Sequence, residues 1–154
     1  MTEPRPSPDP ARAETRAACR VANIDRQKLT DAINNGYYPC APETKPGVAR
    51  VYDVSDLIAL YIFARLTERG EPAKRAGEIV CSIRAQLERT PNTSRVVLVE
   101  AVMGAKAAFD GEQWDFTRTD FKPGSPILRQ SAWNVGAVRD LVKQALAASH
   151  PKKP

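Results

Sequence analysis

Histidine is nearly absent: His150, within the last five residues, is the only one. Catalysis built on a core imidazole is therefore largely excluded. The chain also lacks a Ser-His-Asp or Cys-His arrangement, a glycine-rich phosphate loop and an HExxH pattern. It reads as a non-enzyme. Cysteine is scarce as well: Cys19, Cys40 and Cys81 are odd in number and widely spaced. They read as small buried hydrophobes rather than a disulfide framework or zinc site, which suits a reducing, cytoplasmic setting. No metal or cofactor is expected. No apolar run approaches the roughly 20 residues of a membrane-spanning helix, and the opening MTEPRPSPDPARAET has no apolar stretch of a secretory signal.

What is present is an ordinary apolar fraction of 42% and a net charge of +5 over 154 residues. That permits a polyanionic partner without requiring one. Prolines at 4, 6, 8 and 10 block helix and sheet, so residues 1–13 read as a disordered tail, and 149–154 as a second, shorter one. The polar Thr90–Ser94 segment with Pro91 is the clearest internal break. It separates a helical region, 14–89, from a small mixed region, 94–148. The predicted fold class is α+β.

In the first region, residues 14–22 and 25–35 form two short helices, with Asp25 as N-cap and Gly36 as terminator of the second. Asn23 stands where the intervening turn needs a residue tolerant of positive φ, and Ile24 plugs the space between the helices. Residues 37–52 carry Pro39, Pro42, Pro46 and Gly47, and their ends suit a short hairpin. A third helix runs over about 55–69, capped by Ser55 or Asp53, and a fourth starts from Pro72. In the second region Val96–Val102 is a β-branched run, Asp110-Gly111 a hairpin signal and Gln113–Phe116 an alternating strand. A further strand is expected at Ile127–Arg129 and a helix over 135–148. We read 94–148 as a small β-meander with one helix on it, packed on the first region or on a second subunit. Trp114 and Trp133 read as its core, with an effector pocket as the sharper alternative.

Residues 14–70 resemble the winged helix-turn-helix domain of MerR-family transcription regulators. The resemblance rests on Asn23-Ile24-Asp25-Arg26 at the turn, Leu29 in the second helix and Gly36-Tyr37-Tyr38-Pro39 leading into the wing. Gly47–Tyr52, Asp56-Leu57 and Leu66–Gly70 continue it. It implies four helices and a β-hairpin wing, with double-stranded DNA as ligand. Thr30-Asp31-Ala32 departs from the family's Arg-Tyr-Tyr, and Pro91 interrupts the chain where the long dimerisation helix of that family would run. The DNA-binding module is thus implied without the sensing apparatus.

A recognition helix meets base edges with its N-terminal residues. Arg26, Gln27 and Thr30 occupy those positions here, with Lys28 near the phosphates. Arg suits guanine and Gln suits adenine through bidentate pairs. Residues 15–50 hold Arg16, Arg20, Arg26, Lys28, Lys45 and Arg50 against Asp25, Asp31 and Glu43, an excess of three positive charges. Lys45 marks the wing tip. Arg50 and Tyr52 either meet phosphates or pin the wing to the third helix, and Tyr37 and Tyr38 read as wing-root core. The expectation is a cytoplasmic, nucleoid-associated regulator of bacterial or phage origin, acting as a homodimer. Helix 25–35 would enter the major groove and wing 40–51 would lie on the flanking backbone. Residues 94–148 would mediate self-association or contact another protein. The alternatives are an excisionase-like DNA-bending protein and a docking module that binds no DNA.

Overall fold

The computed structural model describes residues 11–149, so the greater part of both expected tails, and His150, lies outside the described residues. In chain order the elements are β1 (Ala13–Glu14), α1 (Thr15–Ala22), α2 (Arg26–Asn34), β2 (Val51–Tyr52), α3 (Val54–Glu68) and α4 (Ala73–Arg89). They continue with β3 (Val96–Ala101), β4 (Lys106–Asp110), β5 (Asp120–Lys122), β6 (Ser125–Trp133) and α5 (Val135–Ser149). Among the described residues this makes five helices and two antiparallel sheets, an α+β arrangement. No described helix is long and apolar enough to cross a membrane.

Three helices stop in the same way. At Asn23 (φ 51°), Gly36 (φ 75°) and Gly70 (φ 94°) the chain turns left-handed. The next amide then reaches back over the last turn: Ile24 N–H to Cys19 O, Tyr37 N–H to Ala32 O and Glu71 N–H to Leu66 O. This satisfies carbonyls a helix end otherwise leaves open. Asp25 accepts the Gln27 amide at 2.7 Å as the cap of α2. Asp53, not Ser55, caps α3, and it exchanges hydrogen bonds with Asp56 in a reciprocal box. Pro72 sits one residue outside α4, at its N-cap.

α3 is the centre of the fold. Leu57, Ile58, Leu60 and Phe63 are fully enclosed, and α1, β2, α4 and α5 all pack on it. A helix apolar on most sides needs neighbours on most sides. Arg84 of α4 clamps the start of α3, with Nε 2.7 Å from Asp56 and Nη2 3.6 Å from Asp53. Burial raises the Asp56 carboxyl above its usual range, against the pull of Arg84.

Several expectations are corrected. The ends of 37–52 do not pair with each other: β2 pairs with β1, Ala13 opposite Tyr52, and only a Lys45–Val48 bridge closes the loop tip. Ala13, placed by the sequence reading in the tail, is therefore a buried strand residue. The cysteines are not all isolated hydrophobes, because Cys40 and Cys81 form a disulfide between this loop and α4; Cys19 alone is free and buried. The larger sheet is not a simple meander. Its order β4-β3-β6-β5 puts β3 and β6 in the middle, with β3 paired to β4 on one side and to β6 on the other. The β3–β4 hairpin turns at 102–105; Asp110-Gly111 does open a turn but leads into no hairpin, and 113–116 is turn and irregular loop rather than strand. Finally, α5 packs on α1 and α3 instead of on the sheet. Val135, Val142 and Leu146 join the helical core.

Candidate nucleic-acid interface

The α1–α2 turn presents two short helices at a fixed angle. Ile24 packs against the core, and Arg65 of α3 donates to the carbonyls of Ala22 and Asn23, each at 3.0 Å. Leu29 and Ala32 bury the inner face of α2. Its outer positions are left to solvent.

A groove of about 500 Å³ runs between α2, the start of α1 and the end of the 37–52 loop. Arg16, Arg26, Thr30 and Arg50 line it, and three arginines there face one carboxylate, Glu14. Helical spacing explains the α2 contribution: Arg26, Thr30 and Ile33 lie four and three apart on one face. Arg50 is half-buried and donates to Pro42 O, so it ties the loop to itself while bordering the groove.

The other predicted residues lie elsewhere. Arg20, Lys28 and Lys45 are exposed but outside the groove lining. Gln27 is exposed, but its side chain donates to Asp31 at 2.8 Å. Tyr52 is corrected most sharply: it is 0% exposed and is a core residue. Its hydroxyl is buried, with the Thr15 side chain beside it. Burial pushes its pKa up to about 12, with the neighbouring Arg50 pulling the other way. Of the two roles open to it, pinning the loop is the one its position permits. Tyr38 is likewise core, its ring 4.9 Å edge-on from Phe63, whereas Tyr37 is partly exposed.

Two anchors escaped the sequence reading. Gly77 of α4 passes so close to the loop root that a Cβ there would stand 1.6 Å from Tyr37 O. One turn later, Cys81 holds Cys40. The only sequence signal for either is a glycine inside an otherwise regular helix and two cysteines 41 residues apart. These joints set where the loop carrying Lys45 and Arg50 can lie relative to α2. Among the described residues no cluster of three or more His, Cys, Asp or Glu side chains stands ready for a metal ion. No known family model matches the chain, and no curated protein matches it as a relative.

Proposed function

We propose that the chain is a sequence-specific double-stranded DNA-binding regulator. Its α1–turn–α2 unit works as a helix-turn-helix, and the loop 40–51 works as the wing. The carrying observation is the groove that gathers Arg16, Arg26, Thr30 and Arg50 beside the exposed face of a short helix held by a left-handed turn. In this reading α2 enters the major groove with Arg26 and Thr30 toward base edges. Arg16, Arg20, Lys28 and Lys45 meet phosphates along the flanks. Gln27 would have to release Asp31 to read a base, so Arg26 carries the greater share of discrimination. Residues of the wing reach the backbone from a root locked to α4.

The test is selection of bound duplexes from a random pool, followed by affinity measurements over a range of salt. Affinity should fall steeply with salt. Arg26→Ala should relax preference at one base position by about 1–3 kcal/mol, and Lys45→Ala should weaken all sequences alike and flatten the salt dependence. A selection that enriches no duplex at low salt would sink the proposal.

A further inference from the structure

β4 is an edge strand: among the described residues it pairs with β3 only. Its register shows which backbone groups are unused. Ala101 N–H donates to Ala105 O at 2.7 Å and Gly111 N–H donates to Arg95 O at 2.8 Å. Between these bonded pairs lie Val97–Phe109 and Val99–Ala107. In an antiparallel ladder bonded and non-bonded pairs alternate. Residues 105, 107, 109 and 111 thus turn their backbone groups toward β3, and Lys106, Ala108 and Asp110 turn theirs outward. An edge with such a row is a template for another strand unless it is covered.

The strand reads Lys-Ala-Ala-Phe-Asp. Antiparallel pairing with its own copy, with the two-fold axis at Ala108, places Lys106 opposite Asp110 of the second copy, twice. The Asp110 carbonyl already accepts Gln113 N–H. Four ladder bonds remain with uncommitted partners: two across the Ala108 pair and two from Asp110 N–H to the opposite Lys106 O. One Asp110 carboxylate oxygen serves Thr93 and Glu112, which leaves the other for the lysine.

The neighbouring helix fits the same axis. α4 lies over β3 and β4 alike. With strands about 4.8 Å apart, two such helices would stand about 10 Å apart across the axis, within helix-packing distance. Glu78, Ser82, Ala85 and Arg89 are all exposed and fall four, three and four apart on α4. Glu78 and Ser82 border the β4 edge, since they share a groove with Lys106 and Ala107. Antiparallel apposition of this ridge puts Glu78 against Arg89 and the small Ser82 and Ala85 against each other. Strand and helix both present charges that complement themselves under one two-fold operation, as an isologous interface requires.

We infer that β4 and the outer ridge of α4 form a two-fold interface with a second copy of this chain, joining two four-stranded sheets into one. This assignment does not depend on DNA binding, and a dimer that binds no duplex leaves it intact.

The test is the mass of the full chain by sedimentation over low to high micromolar concentration. Wild type should be a dimer. Ala108→Pro removes an outward N–H that β3 does not use, a place where edge strands tolerate proline. It should yield a monomer with an unchanged circular dichroism spectrum. Glu78→Lys sets like charges against each other on a surface helix and should weaken the dimer about tenfold, with Glu78→Lys/Arg89→Glu restoring it. Should Ala108→Pro fail to fold, the charge swap decides alone. A wild-type monomer at every concentration, or a dimer indifferent to these changes, would overturn the assignment.

Discussion

The helical part and the larger sheet are held in different ways. Every helix sends residues into one continuous core centred on α3, and Val96 of β3 joins it. The outer face of the sheet has a core of its own. Among the described residues its buried apolar cluster is Val97, Val99 and Trp114, with Phe109, Phe121 and Ile127 packed alongside. Trp114 does most of the closing: it stacks on Phe109 at 4.5 Å and donates to Gln130. A shared core makes each helix depend on the others. A three-residue cluster under a turn makes the outer sheet face depend on one ring. The proposed DNA surface sits on the first kind of support, whereas the proposed dimer interface draws on both, α4 on the first and Phe109 of β4 on the second.

The largest expected loss of stability is that of Gly77→Ala. The new methyl would collide with the backbone of Tyr37, and backbone cannot swing aside as a side chain can. Denaturant unfolding should show a loss of about 4 kcal/mol or more. Next is reduction of Cys40–Cys81. By the chain-entropy account, opening a link across 41 residues removes about 3–4 kcal/mol. The same denaturation in the presence and absence of a dithiol reductant measures it. A Cys40→Ser/Cys81→Ser variant should be insensitive to that reductant.

Trp114→Ala attacks the other region. It should cost about 3 kcal/mol. Hydrogen exchange should speed up in β3 and β6 well before it does in α3, and equal acceleration everywhere would refute the contrast drawn between the two cores. The smallest effect is at the joint between the regions. Glu100 of β3 accepts from Arg75 of α4 at 2.9 Å and from Arg129 of β6 at 2.8 Å. The Arg129 hydrogen bond, aided by Arg75, holds its carboxyl below the usual glutamate range against partial desolvation. A depressed carboxylate stabilises the fold above its unfolded pKa, near 4.3, and loses that contribution as pH falls through the lower folded value. Glu100→Gln should flatten the acid limb of the stability-against-pH curve, read by thermal unfolding from pH 7 downward.

Local chemistry made much of the first region legible. Asn23, Gly36 and Gly70 announce their left-handed stops because few residues accept positive φ, and Asp25 and Asp53 announce caps because a short carboxylate reaches the amides. The β-branched run of β3 also read correctly, since burial imposes its pattern on the sequence. The candidate site was partly legible: Arg16, Arg26, Thr30 and Arg50 do share a groove, while Gln27 is tied to Asp31 and Tyr52 is enclosed. An Arg-x-Tyr pattern on a strand cannot say which side chain faces inward until the strand's partner is known. Here that partner is β1, contributed by Ala13 and Glu14.

Local sequence preferences set most helix starts and stops, the extended runs at β3 and in β6, and the concentration of positive charge between residues 15 and 50. These follow from backbone sterics, capping and hydrophobic period, all of which act over a few residues. Tertiary structure alone decided the pairing of Cys40 with Cys81, the contact of Gly77 with Tyr37, the β4-β3-β6-β5 order and the docking of α5 on α3. Each joins groups tens of residues apart. Which distant partner covers an apolar face is settled by the packing of the whole core, and no local preference encodes it.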